Sequence, residues 1–185
     1  PSYDPDTRTV SISSQSDADW GGDTVTRRST SGAVTTFLNC VVVVTCRRQD
    51  ITALSTTEAE LIALTEAAKD WLSLFNFITD IVNSAHSPFD SISEGIIETD
   101  NIATQFVASN RTFNNRTRHI DMRYMFIRDL VEKQLLSIRY VHTLRNVPDI
   151  FTKPLAFDIF AQHRLALGVQ LFSMDVSAAF FDATV

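Results

Sequence analysis

The sequence has few cysteines, few glycines and prolines, and no long apolar run. Its 185 residues include two cysteines, Cys40 and Cys46. Their separation of six positions fits neither a disulfide framework nor zinc-pair spacing, so we expect two small buried side chains in a reducing compartment. The longest aliphatic run, residues 41–44, is far shorter than the ~20 residues of a membrane helix. No membrane partner is expected.

The chain also lacks the features of a disordered or multidomain protein. Glycine and proline number five each, hydrophobic residues make up 44% of the chain, and no internal repeat or linker interrupts it. This length and composition suit one folded domain with its own core. Residues 1–6 have neither a basic nor an apolar segment, so no signal peptide is expected.

The net charge of −6 at first argues against a nucleic-acid partner, but the charge is unevenly distributed. Five arginines and one aspartate lie between Arg111 and Arg128. The acidic residues elsewhere can belong to a metal site, where the ion reverses their effect on an anionic ligand. Net charge therefore does not exclude nucleic acid.

Hydrophobic patterning predicts a mixed α/β fold. The alternation after Val10 indicates a strand, and residues 33–46 indicate two strands with a turn near Asn39. A capping box at 55–58 begins a helix predicted over 56–82. We expect 83–93 to be a loop, 95–98 a short strand, and 101–108 and 117–134 helices. A strand then covers 136–142, and one helix runs from about 146 to 167. This order favours a mixed sheet with helices on its faces.

Four acids stand where such a fold can gather metal ligands: one on the first strand, one on the first helix, one at a strand end and one at a helix start. Magnesium prefers carboxylate oxygens, and two ions about 4 Å apart can assist phosphodiester cleavage. Scattered acids alone are weak support, because most are solvated surface groups. The four are Asp17, Glu60, Asp100 and Asp149.

Ordered motifs connect these acids to a known family. They are SDADW at 16–20, RRSTSG at 27–32, ALSTTEAE at 53–60, TDN at 99–101, RTRHID at 116–121, FIR at 126–128 and DIFTKPL at 149–155. Together they resemble the ribonuclease H domain of copia-type retrotransposon Pol polyproteins, with agreement from about residue 12 to 168. The domain is therefore predicted over 1–169. The apolar tail 170–185 lies beyond the resemblance, and it either packs on the domain or offers a surface for a partner or a second copy.

The resemblance implies a ribonuclease H-like fold, a five-stranded mixed sheet flanked by helices. It implies endonucleolytic cleavage of the RNA strand of RNA–DNA hybrids, with Asp17, Glu60, Asp100 and Asp149 as catalytic metal ligands for two Mg²⁺ ions, for which Mn²⁺ substitutes. It also implies a reverse transcriptase domain upstream in a polyprotein. An intracellular location follows, in the cytoplasm, in virus-like particles or in the nucleus.

Periodicity provides an independent check on one ligand. Residues two apart on a helix point about 200° from each other. Glu60 shares a stripe with Leu64 and Trp71 and should face inward, whereas Glu58 lies on a more polar stripe and serves as the cap. Asp17 and Asp19 share one face of a strand, so the choice of Asp17 rests on the resemblance, and a contribution from Asp19 stays open.

Other residues are candidates for substrate contact or catalysis. Asp149 should stay ionised at neutral pH, because the helix dipole favours an anion near its N-terminus. His142 follows the last strand and is either an active-site participant or an ordinary loop residue. Arginine forks suit phosphates, and helix-start threonines can touch the minor groove, where 2′-hydroxyls mark RNA. The nucleic-acid candidates are Arg47, Arg48, Gln49, Thr56, Thr57, Asn101, Arg116, Arg118, His119 and Arg123.

The sequence also departs from the family pattern. Ile102 stands where glutamine is usual, Leu61 where an aromatic residue is usual and Met125 where histidine is usual. The loss of the glutamine removes an amide able to hydrogen-bond the hybrid. These changes support an alternative, in which the chain is a catalytically weak or inactive, domesticated binding module on the same fold.

Overall fold

The computed structural model describes residues 3–109 and 118–170, and it confirms the predicted fold class. Within these residues a five-stranded mixed sheet has the strand order β5-β4-β3-β7-β8. The β3–β4 and β4–β5 pairs are antiparallel, and β7 pairs parallel with both β3 and β8. The strands are β1 (Tyr3–Asp4), β2 (Thr9–Val10), β3 (Ile12–Ala18), β4 (Thr30–Phe37), β5 (Cys40–Arg48), β6 (Ser91–Ile92), β7 (Gly95–Thr99) and β8 (Leu136–Tyr140).

The helices lie where the periodicity predicts them, with one exception. A 3-10 turn, Thr143–Arg145, follows β8. The single helix predicted over 146–167 is wrong. Lys153 adopts an extended conformation, with φ −148° and ψ 152°, because the residue before a proline is disfavoured in the helical region. The helices are α1 (Thr56–Val82), α2 (Ile102–Ser109), α3 (Arg118–Glu132), α4 (Asp149–Thr152) and α5 (Phe157–Ala166).

The core lies between the sheet and helices α1 and α3. Trp71 of α1 is fully buried, its indole N–H donates to the Ile12 carbonyl at 3.2 Å, and its ring stacks on Phe75 with 4.9 Å between centroids. A Cβ at Gly95 would lie only 2.2 Å from the Trp71 ring, so this strand start must be glycine. The long helix is therefore fixed against β3, which carries Asp17, and β7, which Asp100 directly follows.

The predicted hairpin and loops need small corrections. Leu38 and Asn39 have φ of 52° and 62°, as a two-residue hairpin turn requires, which confirms the turn near Asn39. Part of the predicted loop 83–93 forms the short strand β6, which pairs with β2. The expectation of buried cysteines is wrong, because Cys40 and Cys46 are both exposed on β5, an edge strand.

None of the helices within the described residues combines the length and apolarity needed to cross a membrane. The tail candidate, residues 170–185, lies outside the described part apart from its first residue. The predicted division of the chain at residue 169 stays a prediction.

Candidate metal centre

Two neighbouring parallel strands and one helix bring three of the predicted acids together. Asp17 lies near the end of β3, and Asp100 directly follows β7, whose Thr99 pairs with Ser16. Glu60 lies in the second turn of α1, which packs across both strands. One carboxylate oxygen from each of Asp17, Glu60 and Asp100 lies within 4.8 Å of the other two. The geometry therefore suits a shared cation.

The fourth predicted acid enters from a different element. Asp149 begins α4 and is buried, and its Oδ1 accepts from Asn146 Nδ2 at 3.3 Å. Lys153 Nζ lies 3.3 Å from the same Oδ1 and 3.4 Å from Asp17 Oδ1. Thr152 Oγ1 donates to Asp17 Oδ2. The short helix therefore contacts Asp17 through a hydroxyl and an ammonium group while it places Asp149 beside them.

Glu60 carries the strongest electrostatic signal of the site. Burial, followed by the charges of Asp17 and Asp100, raises its pKa to about 9, against a lowering by the Ala18 backbone donor and by Lys153. Its Oε2 is buried without a hydrogen-bond partner in the described structure. An unpartnered buried carboxylate oxygen beside two aspartates fits a hard divalent cation, which prefers oxygen ligands and stabilises the ionised form.

Asp149 differs from the expectation that its helix would keep it ionised. Burial and the charge of Asp17 raise its pKa to about 7, although Lys153 lowers it. The helix has only four residues, so its dipole is too small to offset burial beside another carboxylate. In the metal-free protein the Asp149 carboxyl, with its pKa near neutrality, is therefore only partly ionised at neutral pH, and the short helix does not keep it fully charged as expected. Burial lowers the pKa of Lys153, but Asp17 and Asp149 outweigh this and raise it.

Hydrogen bonding gives the two neighbouring acids, Asp19 and Glu58, structural roles, although only the choice between Asp17 and Asp19 was left open by the sequence. Asp19 accepts the Thr30 N–H and packs so closely on Gly22 that a Cβ there would collide with it. Glu58 Oε2 accepts the Leu54 N–H at 2.7 Å, and the Glu58 N–H donates to Ser55 Oγ at 3.1 Å. Asp19 thus fixes a turn and Glu58 caps α1. Glu58 is nevertheless buried, although its stripe predicted a more polar surrounding.

The loop after β8 contacts the acid cluster through Thr143, a residue that the sequence did not identify as a candidate. Thr143 Oγ1 donates to Asp100 Oδ2 at 2.8 Å. His142 Nδ1 accepts the Leu144 N–H at 3.2 Å, which caps the 3-10 turn and leaves the proton of the neutral ring on Nε2. His142 is exposed and therefore open to a solvent or substrate proton.

The nucleic-acid candidates fall into separate groups. Arg47, Arg48 and Arg123 line one pocket beside α1, which Gln49 also lines. The first two also form surface ion pairs, Arg47 with Asp50 at 3.3 Å and Arg48 with Asp23 at 3.1 Å. These exposed pairs are weak, so both guanidinium groups remain able to meet a phosphate.

Several of the remaining candidates make structural contacts within the protein. Gln49 is buried, and its Nε2 donates to Ser31 Oγ and to the Ala59 carbonyl, each at 2.9 Å. Asn101 Oδ1 accepts the Thr104 N–H at 2.9 Å and caps α2. Thr56 is exposed and Thr57 half-buried at the start of α1. Arg116 lies outside the described residues, and Arg118 and His119 are described only as backbone of α3.

Sequence reasoning did not identify Thr152 and Lys153 as part of the site. Both stand inside the motif DIFTKPL, at three and four positions after Asp149. Residues separated by four positions on a helix are neighbours, so this spacing was a signal that Lys153 lies beside Asp149. Their contact with Asp17 depends on how α4 packs on the sheet, which the sequence does not show.

Comparison with known proteins shows that the chain is similar to part of retrotransposon Pol polyproteins. The chain is 34% identical over 137 residues to the Nicotiana tabacum retrovirus-related Pol polyprotein from transposon TNT 1-94, a match covering 74% of the chain and 10% of the relative. It is 28% identical over 162 residues to the Arabidopsis thaliana Pol polyprotein from transposon RE2, covering 87% of the chain and 11% of the relative. The chain thus spans about a tenth of these relatives. No protein-family model matches it.

Solved structures support the same fold. The N-terminal RNase H domain of a Mycobacterium tuberculosis protein matches with a TM-score of 0.55 and 14% identity, over 84% of this chain and 97% of that one. A compost-derived RNase H1 in complex with an RNA/DNA hybrid matches with a TM-score of 0.52 and 14% identity, over 76% of this chain and 93% of that one. At this identity the likeness concerns the fold alone.

Proposed function

Since the chain is homologous to a segment of retrotransposon Pol polyproteins and has the ribonuclease H fold, we propose that it is a metal-dependent ribonuclease H domain that cuts the RNA strand of RNA–DNA hybrids. The observation that carries this proposal is the convergence of Asp17, Glu60 and Asp100 oxygens within 4.8 Å. Asp149 completes the proposed set of four ligands. Mg²⁺ is the proposed ion, with Mn²⁺ as a substitute.

In this proposal the protein contributes placement and charge. Two divalent ions held by the four carboxylates would activate the attacking water and neutralise the leaving 3′-oxygen. Asp17 is held by Thr152 and Lys153, and Asp100 is held by Thr143. Groups that are fixed before the substrate arrives need no reorganisation during the reaction. The exposed imidazole of His142 is proposed to exchange a proton with the product or its leaving oxygen.

Substrate binding is proposed to use the arginine side of the molecule. Arg47, Arg48 and Arg123 share one pocket and would contact backbone phosphates through paired N–H donors. Thr56 and Thr57 at the start of α1, together with Asn101, would meet the minor groove. Arg116, Arg118 and His119 would extend this contact. The amide nitrogen of Gln49 donates hydrogen bonds inside the protein. We therefore propose that Gln49 supports Arg47 and Arg48 structurally.

The polyprotein context supplies the remaining proposals. A reverse transcriptase domain is proposed to precede this segment, because the relatives are Pol polyproteins of which the matched residues make up 10% and 11%. An intracellular location and self-association through the apolar tail also stay predictions.

The test is cleavage of a labelled RNA–DNA hybrid in Mg²⁺ and in Mn²⁺. Wild type is compared with Asp100→Asn, and with Asp158→Asn as a matched control on the exposed start of α5. The proposal predicts cutting of the RNA strand alone by wild type and the control, and none by Asp100→Asn. Full activity of Asp100→Asn would overturn the assignment.

A second candidate is a binding module without cleavage. It is favoured by Ile102, whose side chain is 65% exposed where an amide could have bonded the hybrid. A folded wild type that binds the hybrid yet cuts it with neither metal would select this candidate.

A further inference from the structure

We propose that Lys153 is an internal counter-ion of the carboxylate cluster, which neutralises Asp17 and Asp149 in the metal-free protein and competes with a divalent ion for that side of the site. This inference rests on the proposed function only in taking the four carboxylates as metal ligands. In this inference, Lys153 determines how many divalent ions the protein binds in the absence of nucleic acid, and with what affinity.

The contact geometry supports a bridging ammonium group. Lys153 Nζ lies 3.4 Å from Asp17 Oδ1 and 3.3 Å from Asp149 Oδ1, while the side chains of the two aspartates are 0% and 3% exposed. Two buried carboxylates side by side repel each other and lose their hydration. An ammonium group between them removes much of that cost, and its stem still reaches the surface.

The backbone holds Lys153 in this position. Its N–H donates to the Asp149 carbonyl at 3.2 Å, which places the two side chains one helical turn apart. The segment packs directly on β4, because a Cβ at Gly32 would lie 3.0 Å from both the Pro148 carbonyl oxygen and Thr152 Cγ2. Pro154 then sets the extended backbone of Lys153. The ammonium group is therefore positioned by the fold and not by a flexible surface loop.

The other side of the cluster has no such cation. Among the residues that the structure describes, neither Glu60 nor Asp100 forms an ion pair, whereas both Asp17 and Asp149 do. Glu60 Oε2 has no partner in this part of the chain. A divalent ion on this side therefore reaches the unpartnered Glu60 Oε2 without meeting an ammonium group among the described residues. To use Asp17 Oδ1 or Asp149 Oδ1 it must displace the ammonium group of Lys153.

The test is Mn²⁺ binding by calorimetry without nucleic acid, in wild type, Lys153→Met, Lys153→Arg and the surface control Lys133→Met. Since a unit charge this close to the ligands opposes a divalent ion, Lys153→Met should bind Mn²⁺ on the order of tenfold more tightly, or bind one more ion per chain. Lys153→Arg and Lys133→Met should match wild type. An isotherm of Lys153→Met that equals wild type, or is weaker, would overturn the proposal.

A second measurement needs no folded Lys153→Met. The ¹³Cε signal of Lys153, assigned by its absence in Lys153→Arg, should shift in wild type as Mg²⁺ saturates the site, because the ammonium group leaves the carboxylates. A signal that stays in place while Mg²⁺ binds, or a wild type that binds no ion, contradicts the competition.

These readouts separate this inference from the proposed function. Wild type that binds Mn²⁺ and shows the Lys153 shift but leaves hybrids intact refutes only the ribonuclease activity. Wild type that cuts hybrids while Lys153→Met binds Mn²⁺ no differently refutes only the counter-ion.

Discussion

The carboxylate cluster has two sides, and the buried negative charge is offset differently on each. On the lysine side, formed by Asp17 and Asp149, an ammonium group and the Thr152 hydroxyl contact the buried carboxylates. On the open side, formed by Glu60 and Asp100, Glu60 has one oxygen without a partner among the described residues and a pKa raised to about 9. The lysine side carries its own cation, whereas on the open side Glu60 keeps a proton at neutral pH.

This difference shows how a fold can keep four carboxylates close to one another before a ligand binds. Full ionisation of all four would be costly in a buried site. The ammonium group of Lys153 offsets the negative charge of Asp17 and Asp149, and a proton on Glu60 removes the charge of that carboxylate. A divalent ion must therefore displace an ammonium group on one side and a proton on the other.

The largest expected effect comes from Asp17→Asn, because Asp17 both pairs with Lys153 and shares the oxygen cluster with Glu60 and Asp100. Loss of one preorganised charged group at the reacting centre lowers cleavage on the order of a thousandfold. Initial rates of hybrid cleavage measure this effect, with circular dichroism to verify folding. Asp158→Asn is the matched control and should retain wild-type activity. An Asp17→Asn rate near that of wild type would remove Asp17 from the site.

The open side can be tested through pH. The raised pKa of Glu60 means that the folded protein keeps a proton between about pH 4.5 and 9 that the unfolded chain releases. Stability of the metal-free protein should therefore fall as pH rises through this window, by at most about 1.4 kcal/mol per pH unit for one proton. Asp149 adds to the fall between about pH 4 and 7. Thermal unfolding in EDTA at pH 5, 7 and 9 measures it.

Glu60→Gln is the control for this pH dependence. It should unfold at a higher temperature than wild type at pH 9 in EDTA and show a flatter profile. Mg²⁺ should stabilise wild type most at high pH, because ligands bind metal in their deprotonated form. A wild-type profile in EDTA that rises from pH 5 to pH 9 would contradict the assignment of the stored proton.

The lysine side can be weakened without touching a carboxylate. Thr152→Val removes the hydroxyl that donates to Asp17 and leaves a buried acceptor with one partner fewer. We expect a loss of about 1–3 kcal/mol in the free energy of unfolding, measured by urea denaturation in EDTA. Thr24→Val, on an exposed turn, should change it little. Equal effects of the two substitutions would show that the Thr152 contact does not stabilise Asp17.

The smallest expected effect lies outside the cluster. Arg47→Gln should weaken hybrid binding a few-fold and reduce the salt dependence by about one phosphate contact. Arg139→Gln lies on β8, at the opposite edge of the sheet from β5, and should bind as wild type does. Fluorescence anisotropy at several salt concentrations measures both. An unchanged salt slope for Arg47→Gln would place the substrate elsewhere.

The sequence predicted those parts of the fold and site that depend on local patterns. Capping and periodicity set the bounds of α1 and turned Glu60 inward, since both depend on residues within a few positions. Asp17 could be preferred over Asp19 only by resemblance, because alternation on a regular strand would put both on one face. In the structure β3 ends at Ala18, and Asp19 accepts the Thr30 N–H instead.

Features that depend on packing were not predictable. The break at Lys153 did have a local signal in Pro154, which the single predicted helix overlooked, whereas the burial of Asp149 follows from how α4 meets Gly32 on β4. The raised pKa values of Glu60 and Asp149 arise from acids far apart in the chain, and the exposed cysteines arise from the edge position of β5. Side chains that meet through tertiary structure have no signature in local spacing.

Whether these carboxylates form a divalent-metal centre can be observed in a crystal of the protein soaked in Mn²⁺, with anomalous scattering measured at the manganese edge. We expect an anomalous peak bounded by the carboxylates of Asp17, Glu60 and Asp100. Ordered carboxylates with no peak between them, or manganese bound only elsewhere on the surface, would contradict it.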